Sequence, residues 1–205
     1  TLLEFVNSFS LLVVLGSVST SYFFSKLFQS NLPIIFYWIL ASTVWVIYTL
    51  DHIIDGLSTA AASLSLRHMV HQKYRTFLIA IIAIFIPANI YLAFKFLPSN
   101  MLLAGILLAC FVFLYLLLIP FLKKLKKLPI KEGLVALGVT CGMCFLPGIA
   151  GKLSFHYSYI LLLLVFSLIN FLNLVTFSLL DHKEDSSSSM QSIVQIYGYE
   201  KINTF

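Results

Sequence analysis

Apolar residues run through this chain in six long blocks, and polar residues gather between them. The blocks cover roughly 5–28, 33–50, 76–97, 101–122, 130–150 and 158–180. Each is close to the ~20 apolar residues a helix needs to cross about 30 Å of hydrocarbon. None alternates with a period of two, so the pattern predicts helices and not barrel strands. Backbone groups inside lipid must be bonded within the segment, which a helix does. The predicted fold is all-α: a polytopic membrane helix bundle with six transmembrane helices. The first block has no basic residue before it and no small-x-small cleavage site, and it is too long for a leader. It predicts an ordinary transmembrane helix.

Composition agrees with the pattern. Hydrophobic residues make up 60% of the chain and charged residues 10%, against about 25% charged in a soluble domain. Mean hydropathy is +0.98. No stretch reads as a soluble domain. The expectation is one transmembrane domain over 1–205, with polar loops at 51–75, 123–131 and 181–201.

Charge placement predicts orientation. Arg67, Lys73, Arg75, Lys123, Lys124, Lys126, Lys127, Lys131, Lys183 and Lys201 fall on one side of the predicted membrane. Only Lys26, Lys95 and Lys152 fall on the other. Basic residues favour the cytoplasmic side, so the N-terminus and the three loops are expected there. All the acids share that side: Glu4, Asp51, Asp55, Glu132, Asp181, Glu184, Asp185 and Glu200. The net charge of +5 comes mostly from the lysines at 123–131. Such a juxtamembrane cluster points to topology and to anionic membrane lipids, with a substrate phosphate second, and not to nucleic acid.

The acids are few, and four of them are paired. Asp51 and Asp55 close the second block, and Asp181 and Asp185 follow the sixth. An i, i+4 spacing on a helix puts both carboxylates on one face, about 5–6 Å apart at Cβ. A carboxylate at the bilayer centre costs about 2.5–3.5 kcal/mol. At a helix C-terminus it also opposes the dipole by roughly 0.3–1 kcal/mol. A divalent cation offsets both. Mg²⁺ prefers a few carboxylates together with phosphate oxygens, so the four aspartates predict a Mg²⁺ site for a diphosphate. Arg67, Lys123 and Lys124 are the candidate cations for its remaining charge. An amphiphile fits a site at a membrane surface: a polyprenyl diphosphate with its head among the aspartates and its tail between helices. Trp38, Trp45 and Tyr48 are candidate aromatic faces for a carbocation, or interfacial anchors. Asn7, Asn170 and Asn173 either join helices or line a cavity. Ser186–Ser189 read equally as a linker or as a phosphate-binding turn. Cys141-Gly142-Met143-Cys144 has the C-x-x-C form, but mid-helix it predicts packing residues.

Taken together, these residues resemble the UbiA superfamily of intramembrane prenyltransferases. That family carries N-D-x-x-D-x-x-x-D after its second helix, matched here by Asp51-His52-Ile53-Ile54-Asp55 with Thr59 in the last acidic place. Arg67-His68 looks like the Arg-Pro step that follows. Tyr115, Lys123-Lys124 and Leu128-Pro129 resemble the family's run after helix four. Asp181, Asp185, Ser189, Ser192 and Gly198 resemble D-x-x-x-D-x-x-x-G-x-x-S and its later Gly. The resemblance spans the whole chain in order. It implies Mg²⁺-dependent transfer of a prenyl group from a polyprenyl diphosphate to an unidentified lipophilic acceptor. Asp51, Asp55, Asp181 and Asp185 would be the catalytic metal ligands. Arg67, Lys123, Lys124, Asn173, Tyr115 and Ser192 would bind substrate. It also implies nine helices, so the chain is expected to be part of a longer protein, lacking a little at the front and three helices at the back. His52 and Thr59 depart from the family pattern, which predicts a weaker first metal site.

Three other readings compete. A CDP-alcohol phosphotransferase needs D-x-x-D-G-x-x-A-R; Asp55-Gly56 meets only a fragment of it. A di-iron oxidase would draw on His52, His68, His71 and His182, but needs many more His boxes. A non-catalytic isoprenoid-binding or scaffold protein would keep the fold and tolerate the loss of the acid at Thr59.

Overall fold

The computed structural model describes residues 9–58, 66–122, 130–151 and 157–180. All regular structure there is helical, and no strand occurs among the described residues. The helices are α1 (Leu11–Leu27), α2 (Ile34–Ser58), α3 (Leu66–Lys73), α4 (Arg75–Phe96), α5 (Ser99–Leu122), α6 (Ile130–Thr140), α7 (Leu146–Ala150) and α8 (Tyr157–Leu180), with a π-helical turn at Cys141–Phe145 between α6 and α7.

Four helical stretches are long and apolar enough to cross a membrane: Ile34–Ile54, Arg75–Phe96, Gly133–Ala150 and Tyr159–Thr176. Their sides are largely uncovered. Only 6% of the Tyr159–Thr176 window is buried, and 11% of the best window in Arg75–Phe96. Water tolerates no such apolar surface, so these helices define a membrane protein. The first predicted span appears as a shorter apolar helix, Leu11–Leu27, and the fourth lies in α5, Ser99–Leu122. Seventeen residues of α1 rise only ~25 Å, short of the hydrocarbon thickness.

The described residues fall into two compact units. The first comprises residues 1–102 and 147–152. Here α1 packs on α2 through Ser17, Ser21, Phe24 and Ser25, its buried residues. Serines at i, i+4 and i+8 make a narrow seam that lets backbones approach closely, the main source of helix association in lipid. Tyr37 of α2 donates to Ser25 Oγ at 2.8 Å. The α1 C-terminus closes with Gln29 in left-handed backbone (φ 50°). Ser30 N–H bonds Ser25 O, and Gln29 N–H bonds Lys26 O, which satisfies two carbonyls left open at the helix end. Val46 and Ile53 of α2 meet Leu78 and Ile82 of α4 in the buried core, flanked by Phe9, Trp45 and Leu50. Further along the same pair, Ser42 Oγ donates to Asn89 Oδ1 at 2.8 Å. Asn89 Nδ2 also reaches Thr43 Oγ1 at 3.4 Å. Gly151 passes so near the end of α1 that a Cβ there would lie 2.6 Å from Phe28 O.

The second unit comprises residues 103–146 and 153–205. Small residues on α6 and the π turn admit α5: a Cβ at Gly138 would meet the Phe111 ring at 3.4 Å, and one at Gly142 the Leu108 side chain at 3.6 Å. Asn170 of α8 donates to Thr140 Oγ1 at 2.9 Å, and Thr140 Oγ1 donates back to Ala136 O at 2.8 Å. Of the two roles open to Asn170, the structure shows the interhelical bond. The widened turn at Cys141–Phe145 lies just before Pro147. Proline has no N–H for the carbonyl four residues back, and its ring crowds that carbonyl; a wider turn relieves both.

Candidate functional site

The first acidic pair lies on a helix that does not stop where the sequence pattern ends. The apolar block was expected to finish at residue 50, with Asp51 at a helix C-terminus. Instead α2 runs unbroken to Ser58, the last residue described there. Both aspartates are therefore inside the helix, and the expected dipole penalty on Asp51 does not arise. Asp51 and Asp55 share one helix face, about 6 Å apart along the axis. Asp51 is exposed, whereas Thr49 and Ile53 beside it are buried. The difference follows from the helical period: two residues turn about 200°, so Thr49 and Ile53 point into the packing and Asp51 points out.

The segment predicted as loop 51–75 also contains structure. Helix α3 folds back against the last turns of α2. Gln72 Nε2 donates to Ile53 O at 2.9 Å. That carbonyl lies between the two aspartates in sequence. The His71 ring is fully buried, at 0% exposure, with its centroid 5.0 Å from that of His52 and an interplanar angle of 58°. The Phe9 ring centroid lies 6.0 Å from it, tilted by 45°. Arg67 sits on α3 one turn before His71. The chain then passes through Tyr74 directly into α4, with Tyr74 N–H on Val70 O and Leu78 N–H on Tyr74 O. Lys73 lies over the Tyr74 ring, its Nζ 5.4 Å from the centroid.

Other predicted site residues have varied positions. Asn173 is exposed on α8 and is not part of the Asn170–Thr140 bond. Trp38 points outward, 68% exposed. Trp45 instead packs edge-on against Phe85 at 5.6 Å. Cys144 is buried and Cys141 partly so, both as free thiols. Tyr115 lies on α5; nothing is described of its side chain, nor of those of Asp55 and Arg67. Lys123, Lys124, Asp181, Asp185 and Ser192 lie outside the described residues. Among the described residues, no group of three or more His, Cys, Asp or Glu side chains is gathered to hold a metal ion. The donors of the first pair are carboxylates, which suit a hard cation such as Mg²⁺; His52 suits softer metals and faces His71.

The residue that sequence reasoning passed over is His71. It entered only as one of four histidines that a di-iron oxidase would draw on. Its position four residues after Arg67, on the same α3 face, was the available signal. Compared with known proteins, the chain matches no family model, no curated protein and no solved structure.

Proposed function

We propose that this chain is a UbiA-like intramembrane prenyltransferase, built on six spans with the acidic ends cytoplasmic, that transfers a prenyl group from a polyprenyl diphosphate to a lipophilic acceptor. The observation that carries this reading is the Asp51–Asp55 face, presented at the end of an apolar span with a short basic helix folded beside it. An enzyme acting on a charged head with a lipid tail needs both surroundings within a few ångströms. The second pair, Asp181 and Asp185, matches the other acidic motif of the family that the chain resembles.

Bound Mg²⁺ would neutralise the diphosphate and draw charge toward it as it leaves. Asp51, Asp55, Asp181 and Asp185 would hold the ion. Arg67, Lys123 and Lys124 would bind the phosphate oxygens left uncovered, stabilising the charge that develops on them. The allylic C–O bond breaks, its electron pair leaves with pyrophosphate, and the acceptor's nucleophilic atom forms the new bond to carbon and loses a proton. Tyr115, Asn173 and Ser192 would orient the substrates, and the apolar helix sides would keep water from the cation.

The test is pyrophosphate release from geranylgeranyl diphosphate by the protein in nanodiscs. The expected result is release that requires Mg²⁺ and is lost in Asp55→Ala and Asp181→Ala. Release indifferent to Mg²⁺ and to both substitutions would exclude the reading. Tight lipid binding with no release would point to the isoprenoid-binding alternative.

A further inference from the structure

Helix α3 has eight residues, fewer than the ~12–15 an isolated helix needs to persist in water. Its place must come from what it touches. Among its described side chains His71 alone is buried. The ring lies near both His52 and Phe9, and the neighbouring Gln72 amide donates to Ile53 O. A leucine at 71 would bury comparable surface with no polar atom to satisfy. The chain uses an imidazole and an amide instead. Such contacts are directional: they hold a helix at one angle and register, where apolar contact alone permits sliding. The carbonyl that Gln72 fastens to belongs to the turn between Asp51 and Asp55. Arg67 is one turn away from His71, on the same α3 face.

We propose, building on the prenyltransferase reading, that His71 and Gln72 are positioning residues. They strap α3 to the acid-bearing turn of α2 and so set the distance between Arg67 and the Asp51–Asp55 face, the distance that a diphosphate head must bridge. The strap acts on binding of the head and leaves bond cleavage to other groups. Loss of the strap therefore weakens ground-state and transition-state binding alike, which raises KM and spares kcat.

Steady-state kinetics with geranylgeranyl diphosphate test this. In Gln72→Leu and in His71→Ala, KM is expected to rise about tenfold, the effect of one lost hydrogen bond or ring contact, with kcat held within about twofold. His71→Phe keeps a ring near His52 and Phe9 and is expected to restore KM. An unchanged KM in both Gln72→Leu and His71→Ala would overturn the strap. A readout independent of turnover uses spin labels on Ile54→Cys and Met69→Cys, both exposed sites, with the three native cysteines replaced by alanine. The distance distribution between them is expected to be narrow with Gln72 present and broad in Gln72→Leu. Equal widths would overturn the strap. Absence of turnover would sink the prenyltransferase reading alone. Magnesium pyrophosphate, titrated against the same labels, then decides: weaker binding in Gln72→Leu supports the strap, and equal binding overturns it.

Discussion

The two units hold their helices together with polar bonds and close packing placed differently. The first is stitched by side-chain hydrogen bonds from one helix to another: Tyr37 to Ser25, Ser42 to Asn89 and Gln72 to Ile53 O. In the second, glycines at 138 and 142 let α5 approach, and a single described amide, Asn170, reaches across to Thr140. Lipid gives helices no hydrophobic reason to associate, so polar stitches and close small-residue packing are the two solutions open to them. The difference teaches where orientation matters. Small residues fix how near two helices come; a hydrogen bond fixes which residues face each other. Asp51 and the docked α3 belong to the first unit, where Gln72 makes such a bond beside the acid.

That contrast is open to direct attack. The largest effect is expected at the acids: Asp55→Ala should cut Mg²⁺-dependent pyrophosphate release about 100-fold, a typical cost of losing one preorganised electrostatic partner, while leaving the thermal unfolding of the protein in nanodiscs unchanged. Next comes close packing. Gly151→Ala forces a Cβ to within 2.6 Å of the Phe28 carbonyl, and should lower stability by about 1–3 kcal/mol, as overpacking does; unfolding in detergent with increasing denaturant measures it. The stitches follow. Asn89→Ala and Asn170→Ala should each cost about 0.6 kcal/mol. Double-mutant cycles with Ser42→Ala and Thr140→Ala, respectively, separate each bond from the packing around it. Near-zero coupling for Ser42–Asn89 would break the comparison. The smallest effect is at Gln29, whose left-handed backbone (φ 50°) glycine adopts more cheaply. Gln29→Gly should gain about 0.5 kcal/mol in the same unfolding measurement.

Much of the architecture was legible in the sequence because the hydrophobic period is a local property. The helices at Arg75–Phe96 and Tyr157–Leu180 fall within a residue or two of the blocks expected at 76–97 and 158–180. The shared face of Asp51 and Asp55 followed from spacing alone. The run of α2 past residue 50 was not legible, because hydropathy marks the edge of the lipid and not the end of the helix. Helix α3 was hidden for a related reason. Leu66–Lys73 is polar, and what makes it a helix is docking against α2 through His71 and Gln72, contacts distant in the chain. Asn170 and Asn173 looked alike on paper. Three residues apart on one helix, they differ because Thr140 stands opposite the first. The π turn before Pro147 in the fifth block was not expected from the apolar pattern, because its form depends on how the surrounding helix absorbs the missing donor.

The unbroken course of α2 couples the position of its acidic tip to the lipid. Its 25 residues make a rod of about 37 Å, some 7 Å longer than a bilayer core of about 30 Å. Asp51 and Asp55 ride on that rod, so they move with it. In a thinner bilayer the rod leans and its acidic tip swings sideways; in a thicker one the tip sinks toward the acyl chains. Lipids of different chain length should therefore tune how well the carboxylates meet a water-borne headgroup, with no change in the protein itself.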